Sequence, residues 1–277
     1  MNLRSLGYRT DLIFARFSGE IMDCGSYMVV RTPSNPTFYW GNFVLFDRAP
    51  VSSDLQNWLE VFAKEIPYAK HIAIGWDGQE PGDAQAFVAA GLDFDESVIM
   101  TATEIHAPAK VNLEATYRTL ESDEDWAQLL ELRMVCNDDG YEPEGYRMFV
   151  TDKIREYRRM GQAGLGNWFG AFLEGRLACG MGLYSDAGFA GNHFDGDRVA
   201  RFQSVETHPD FRRRGLCGSL VYHVATHGLE VMKAKTLVMC ADPEYHAARI
   251  YESVGFRPTE RQFALQRRSA KDLKAQI

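Results

Sequence analysis

The second half of the chain shows its elements through the spacing of apolar positions. In SDEDWAQLLELRMV (122–135), Trp126, Leu129, Leu130 and Met134 recur at helical spacing. Ser122 stands at the capping position and acids fill the first turn, so a helix is predicted. A second helical pattern covers 146–160, beyond the loop CNDDGYEPEG. The run NWFGAFLEGRLACGMGLYS alternates around Glu174-Gly175 and predicts a hairpin. KVNLEATYRTL, VARFQSVET, TLVMCA and RQFALQRR read as strands. Between the second and third of these lies a helix with Leu220, Val221 and Val224 inward. After TLVMCA comes a short helix that Asp242 caps, Pro243 opens and Gly255 ends. Strands with helices between them predict an α/β fold built on a mixed α+β sheet.

The first half echoes this order. HIAIGWDGQEPGDAQAFVAAGLDF and TLVMCADPEYHAARIYESVGF share an apolar strand, an Asp, a Pro-containing cap, a short helix and a Gly. Upstream of the first lies SDLQNWLEVFAKEI, with Leu55, Trp58, Leu59 and Phe62 at helical spacing, and before it the strands SYMVVRT and TFYWGNFVLFD. The halves read as two versions of one fold, and a chance likeness of two strand–helix units is the competing reading. The echo stops where chemistry would sit. Val51 to Asn57 has neither glycine nor basic residue, and Phe87 stands where the second half has Tyr251. The proline-bearing stretch IHAPAKVN marks the boundary, giving residues 1–106 and 107–277.

Charge is uneven. Residues 1–108 hold 7 Lys/Arg against 14 Asp/Glu, and residues 109–277 hold 23 against 24. Neither half is basic, which argues against a nucleic-acid partner. No stretch has the length of a membrane span and the N-terminus has no signal-like apolar run, so a cytoplasmic protein off the membrane is expected. The five cysteines are scattered without metal-ligand spacing and read as free thiols, with no metal expected.

Against that acidic background, THPDFRRRGLCGSL (207–220) concentrates positive charge beside a flexible turn. A strand that turns through Gly215 into a helix aims free N–H groups at one spot, where the helix dipole favours anions. Cys217 and Gly218 keep that spot open, and arginines add bidentate donors. The pattern suits a diphosphate. It lacks the Lys-Ser/Thr of a Walker loop and the glycine spacing of a dinucleotide fingerprint.

These residues resemble the acetyl-CoA motif of the GCN5-related N-acetyltransferases (GNAT), Gln/Arg-x-x-Gly-x-Gly/Ala, with Arg212 first, Gly215 fourth and Cys217 in the small-residue position. AARIYESVGF resembles the family's second signature, one helix and one strand further on. Strand and helix order extends the likeness over about 112–265. Glu244 stands where the family often has Asn. The first half resembles a degenerate, incomplete copy, lacking the first strand and helices, as in tandem acetyltransferases.

The resemblance implies direct transfer of acetyl from acetyl-CoA to a primary amine of a small cationic molecule. A protein amine, or a non-catalytic acyl-CoA-binding module, is the alternative. It implies cofactor contacts from Val205, Glu206 and Thr207 on the strand, from Arg212, Arg213, Arg214, Gly215, Leu216, Cys217, Gly218 and Ser219 at the turn, and from Glu244 and Ala247. Tyr251 is the implied general acid. Glu206 is the candidate base if a strand bulge turns it toward the site, with His208 an alternative. The amine pocket is expected at Asp138, Asp139, Tyr141 and Glu142, where carboxylates and aromatics suit a cation. His193, Asp195 and Asp197 read as solvated loop residues. The assembly is expected to be a monomer or homodimer.

Overall fold

The chain opens on a helix that the apolar spacing did not announce, α1 (Leu6–Ser18). Its face of Tyr8, Leu12 and Ala15 is buried, and its start is held by two acids. Asp77 accepts the Ser5 N–H at 2.7 Å and Glu260 accepts the Leu6 N–H at 2.7 Å, carboxylates placed where a helix dipole favours them. The expectation that this half lacks its leading helices therefore needs correction: one is present. The computed structural model describes residues 1–138, 140–186, 198–242 and 247–268.

After α1 come β1 (Glu20–Asp23), β2 (Tyr27–Arg31), β3 (Phe43–Phe46), α2 (Leu55–Glu65), β4 (Ile72–Trp76), α3 (Gln85–Ala89) and β5 (Asp93–Ala102). The strand expected over 37–47 is shorter, because Tyr39–Gly41 forms a 3-10 turn. There follow β6 (Thr116–Thr119), α4 (Asp123–Val135), α5 (Pro143–Gln162), β7 (Gly166–Leu173), β8 (Arg176–Ser185), β9 (Val199–Thr207), α6 (Leu216–Glu230), β10 (Thr236–Ala241), α7 (Ala247–Glu252) and β11 (Arg257–Arg267). These form two units, Met1–Ile99 with Glu260–Ile277, and Met100–Thr259. The sequence division at 106/107 placed the segment from Glu260 onward in the second unit, whereas β11 pairs antiparallel with β4 of the first.

In the first unit the strand order is β1-β2-β3-β4-β11-β5. β2 and β3 are antiparallel, and β3 and β4 are parallel with α2 between them in sequence. The parallel pairing runs to the strand ends at Phe46↔Trp76, and the Asp77 N–H extends it to the Phe46 carbonyl at 2.8 Å. Trp58 of α2 stacks on Phe46 with centroids 3.9 Å apart, and Phe87 packs on Trp58. The space beside these strands is filled with aromatic rings.

In the second unit the order is β10-β9-β8-β7-β6. β6 through β9 are antiparallel, and β9 and β10 are parallel with α6 between them. Ser122 caps α4 as expected, accepting the Asp125 N–H at 3.1 Å. The buried face of α4 is Trp126, Leu129, Leu132 and Arg133, displaced from the predicted Leu130 and Met134. On α6, Leu220, Val221 and Val224 are buried as expected.

Candidate functional site

β9 and β10 begin as a parallel pair and then separate. Their register covers Thr236↔Val199, Leu237↔Ala200 and Val238↔Arg201 and stops there, although β9 runs on to Thr207 and β10 to Ala241. The gap is a cavity of about 190 Å³ lined by Phe202, Ser204, Val205, Met239, Cys240, Ala241, Asp242 and Tyr251. It is the opposite of the closed β3–β4 pair in the first unit. The separation coincides with a bulge in β9: Gly180 and Gly182 of β8 face Glu206 and Gln203, two steps against three. Ser204 takes a left-handed φ of 42° at that point. The extra residue shifts the parity of the strand, as the candidacy of Glu206 requires.

Tyr251 is buried to 5% exposure and walls the cavity. Its carbonyl accepts the N–H groups of Val254 and Phe256, which anchors the end of α7. Gly255 closes that turn at φ 120°, where a Cβ would press on the Glu104 carbonyl at 2.9 Å. Glu244, Pro243, Asp139, His193, Asp195 and Asp197 lie outside the described residues. Ala247 is the first residue of α7.

The arginine turn has two left-handed residues, Arg213 at φ 62° and Gly215 at φ 78°. Gly215 is the N-cap of α6, so the first N–H groups of that helix lack intrahelical acceptors. The three arginines differ. Arg212 donates to the Thr207 carbonyl at 3.2 Å and to Asp138 at 3.3 Å, and Arg214 donates to Glu114 at 2.6 Å. Arg213 is exposed and has no side-chain partner among the described residues. Leu216 and Ser219, both expected at the cofactor, are turned inward at 1% exposure. The Ser219 Oγ accepts the Asn112 N–H at 2.8 Å, while the Asn112 amide donates to the Arg214 carbonyl at 3.0 Å. Any contribution from Leu216 or Ser219 is therefore limited to the backbone. Asn112 braces the turn, a role without a sequence signal. Cys217 is half-buried and meets the buried Cys179 of β8, whose thiol that contact and burial push upward.

Glu206 sits against a buried cation. The Arg133 Nε lies 3.6 Å from Glu206 Oε1, and Arg133 donates to the Ser204 Oγ at 2.9 Å. Glu206 Oε2 has no hydrogen-bond partner among the described residues. Burial pushes the Glu206 carboxyl up, Arg133 opposes this and Asp138 adds to it. His208 instead accepts the Asp210 N–H at 3.2 Å and shapes the turn before the arginines. The predicted amine pocket divides. Glu142 caps α5, accepting the N–H groups of Glu144 and Gly145, and those bonds lower its carboxyl. Asp138 is paired with Arg212, and Tyr141 stacks on Tyr146 at 5.6 Å. Glu142 is thus committed to the helix, which leaves Asp138 facing Glu206 and Tyr146, stacked on Tyr141, hydrogen-bonded to Arg133. Among the described residues, no group of three or more His, Cys, Asp or Glu could hold a metal, and no helix is long and apolar enough to cross a membrane.

Residues 126–256 match the model of the Acetyltransferase (GNAT) family. No curated protein sequence matches the chain. Among solved structures, a functionally unknown conserved protein from Staphylococcus epidermidis is similar with TM-score 0.69 at 12% identity, over 91% of this chain and 95% of that one. A GCN5-related N-acetyltransferase from Kribbella flavida gives 0.64 at 14% identity, over 93% of both chains. A tandem GNAT protein from the clavulanic acid biosynthesis pathway gives 0.56 at 15% identity, over 94% of this chain and 88% of that one. At such identities the likeness is one of fold.

Proposed function

From this match and this shared fold, we propose that the chain is an acetyl-CoA-dependent N-acetyltransferase that acetylates a primary amine of a small cationic molecule directly. The observation that carries the reading is the separation of β9 from β10 over a Tyr251-walled cavity, beside the Gly215-capped start of α6. The cavity suits a narrow pantetheine arm. The free N–H groups of α6 with Arg213 suit a diphosphate. When bound, acetyl-CoA supplies the acetyl group as a thioester.

The chain's own residues would then move the protons. Glu206, through Oε2, which has no hydrogen-bond partner among the described residues, accepts a proton from the ammonium so that the amine can attack. Burial moves its pKa upward, toward the value at which a base works best near neutrality. Tyr251 donates its phenolic proton to the departing thiolate, and the proton that the attacking nitrogen loses as the amide forms restores the phenol. Asp138 and the Tyr141–Tyr146 stack would favour a cationic acceptor. We read the first unit as a degenerate copy of the second. Support comes from its matching antiparallel-then-parallel strand order and from the tandem naming of one similar structure. Cytoplasmic residence and a monomeric or homodimeric state belong to the same proposal.

Calorimetric titration with acetyl-CoA, 3′-dephospho-CoA and a long-chain acyl-CoA, followed by an amine panel read by thiol release, tests it. Micromolar acetyl-CoA binding with amine-dependent thiol release is expected. Binding without release for any small or peptide amine would favour the non-catalytic module, and no binding at millimolar ligand would refute the cofactor site.

A further inference from the structure

Arg133 lies on the buried face of α4, among Trp126, Leu129 and Leu132, where the apolar pattern places Met134 instead. Its residue exposure is 8%. Burying a guanidinium costs several kcal/mol unless it is paired and hydrogen-bonded. Its partners are all at the reaction site. It donates to Ser204, the left-handed residue of the β9 bulge and a wall of the cavity. It also faces the Glu206 carboxylate at 3.6 Å. Tyr146 of α5 hydrogen-bonds it and Tyr157 of the same helix interacts with it electrostatically. The further groups facing Glu206 are Cys136 at the end of α4 and Asp138 in the loop beyond it, and Asp138 is itself paired with Arg212.

We propose that Arg133 is a positioning residue that holds the β9 bulge through Ser204 and fixes the Glu206 carboxylate beside it. Two effects follow from one side chain. The bulge sets the strand parity that brings Glu206 to the site and shapes the wall next to the cavity. The positive charge opposes the desolvation of the carboxylate, which burial otherwise pushes toward its neutral form. Arg133 touches neither reactant in this scheme. The inference rests on the reading of Glu206 as the base, and its test is separable from that reading.

The test is a direct titration of Glu206. Protein labelled with ¹³C at glutamate carboxyls gives one resonance that is missing in Glu206→Gln, which assigns it. In Arg133→Met the midpoint of that resonance should move upward by about one pH unit or more, the effect of losing an opposite charge at this range. In Arg133→Lys, which keeps the charge, it should stay within about half a unit of the wild type. An unchanged midpoint in folded Arg133→Met overturns the proposal. Ser204→Ala leaves every charge in place and guards against a misfolded arginine variant. It should weaken acetyl-CoA binding about threefold or more, the worth of one hydrogen bond, and an unchanged affinity overturns the bulge-holding role. Turnover of Glu206→Gln with an amine found in the panel tests the base separately. If turnover persists, the base assignment fails while the titration still decides the fate of Arg133.

Discussion

Replacing each arginine of the turn in isolation should separate a ligand contact from surface pairing. Arg212 and Arg214 are already engaged, with Asp138 at 3.3 Å and Glu114 at 2.6 Å, but all four side chains are at least 43% exposed. Exposed pairs of this kind contribute about 0–1 kcal/mol, so none of the three substitutions should change stability much. Arg213 is different because it has no pair among the described residues to break before it meets a phosphate. A hydrogen bond to a charged group contributes about 1.5–3 kcal/mol, so Arg213→Ala should raise the Kd for acetyl-CoA roughly 10- to 150-fold. Arg212→Ala and Arg214→Ala should each cost less, since a phosphate contact there competes with Asp138 or Glu114. The assay is calorimetric titration at two salt concentrations, with a melting curve for each variant. The loss in Arg213→Ala should persist with 3′-dephospho-CoA, because the α6 N-terminus suits the diphosphate. The reasoning is refuted if Arg213→Ala binds as the wild type, or if its effect disappears with 3′-dephospho-CoA.

Tyr251→Phe, which removes only the hydroxyl, should lower turnover about 10²- to 10⁴-fold while leaving acetyl-CoA affinity near wild type; unchanged turnover would refute the phenol as the acid. Alkylation read by mass spectrometry should label Cys217, Cys240 and Cys24 ahead of buried Cys179 and of Cys136, whose thiol burial pushes up to about 11. Acetyl-CoA should then protect Cys217 at the turn and Cys240 in the cavity but leave Cys24 reactive. Asp125 accepts bidentate bonds from Arg118 and the N–H groups of Glu121 and Ser122. Those arginine bonds, helped by the backbone donors, hold its carboxyl well below the usual range against the opposing effect of burial. A depressed folded pKa gives stability that is full above the unfolded value of about 3.9 and is lost as pH falls through the folded value. Asp125→Asn should therefore cost roughly 1–2 kcal/mol at pH 7, discounted for the exposed Arg118, and the gap to wild type should close below about pH 4. A constant gap across that range would refute the linkage.

Elements and motifs were legible where one local rule decides them. The Ser122 cap, the Glu174-Gly175 hairpin and the Gly215 turn each follow from a few adjacent residues, and each stands where the pattern put it. Arg133 was not legible, because the apolar spacing put its neighbour Met134 on the buried face and left a charged residue to solvent. What makes it tolerable, Ser204 and Glu206, lies about 70 residues away. Asn112 was hidden for the same reason, since its partners at Arg214 and Ser219 are about 100 residues distant. Glu142 was read as a substrate carboxylate because a capping acid and a ligand acid look alike without the helix that follows.

The contrast between the units shows what a site needs beyond its frame. Both have an antiparallel strand pair, a helix and a parallel strand. In the first, pairing continues to Phe46↔Trp76, and the stacked Trp58 and Phe46 fill the space alongside. In the second, the bulge at Ser204 takes β9 out of register, and β10 lets go after Val238. Strand backbone left unpaired in this way must find another partner, because unmet buried N–H and C=O groups are costly. Restoring the pairing would remove those groups and the cavity together. The open strands thus give up local sheet stability for the cavity between them. Aromatic filling makes the opposite exchange: in the first unit Phe46, Trp58 and Phe87 occupy the space beside the paired strands.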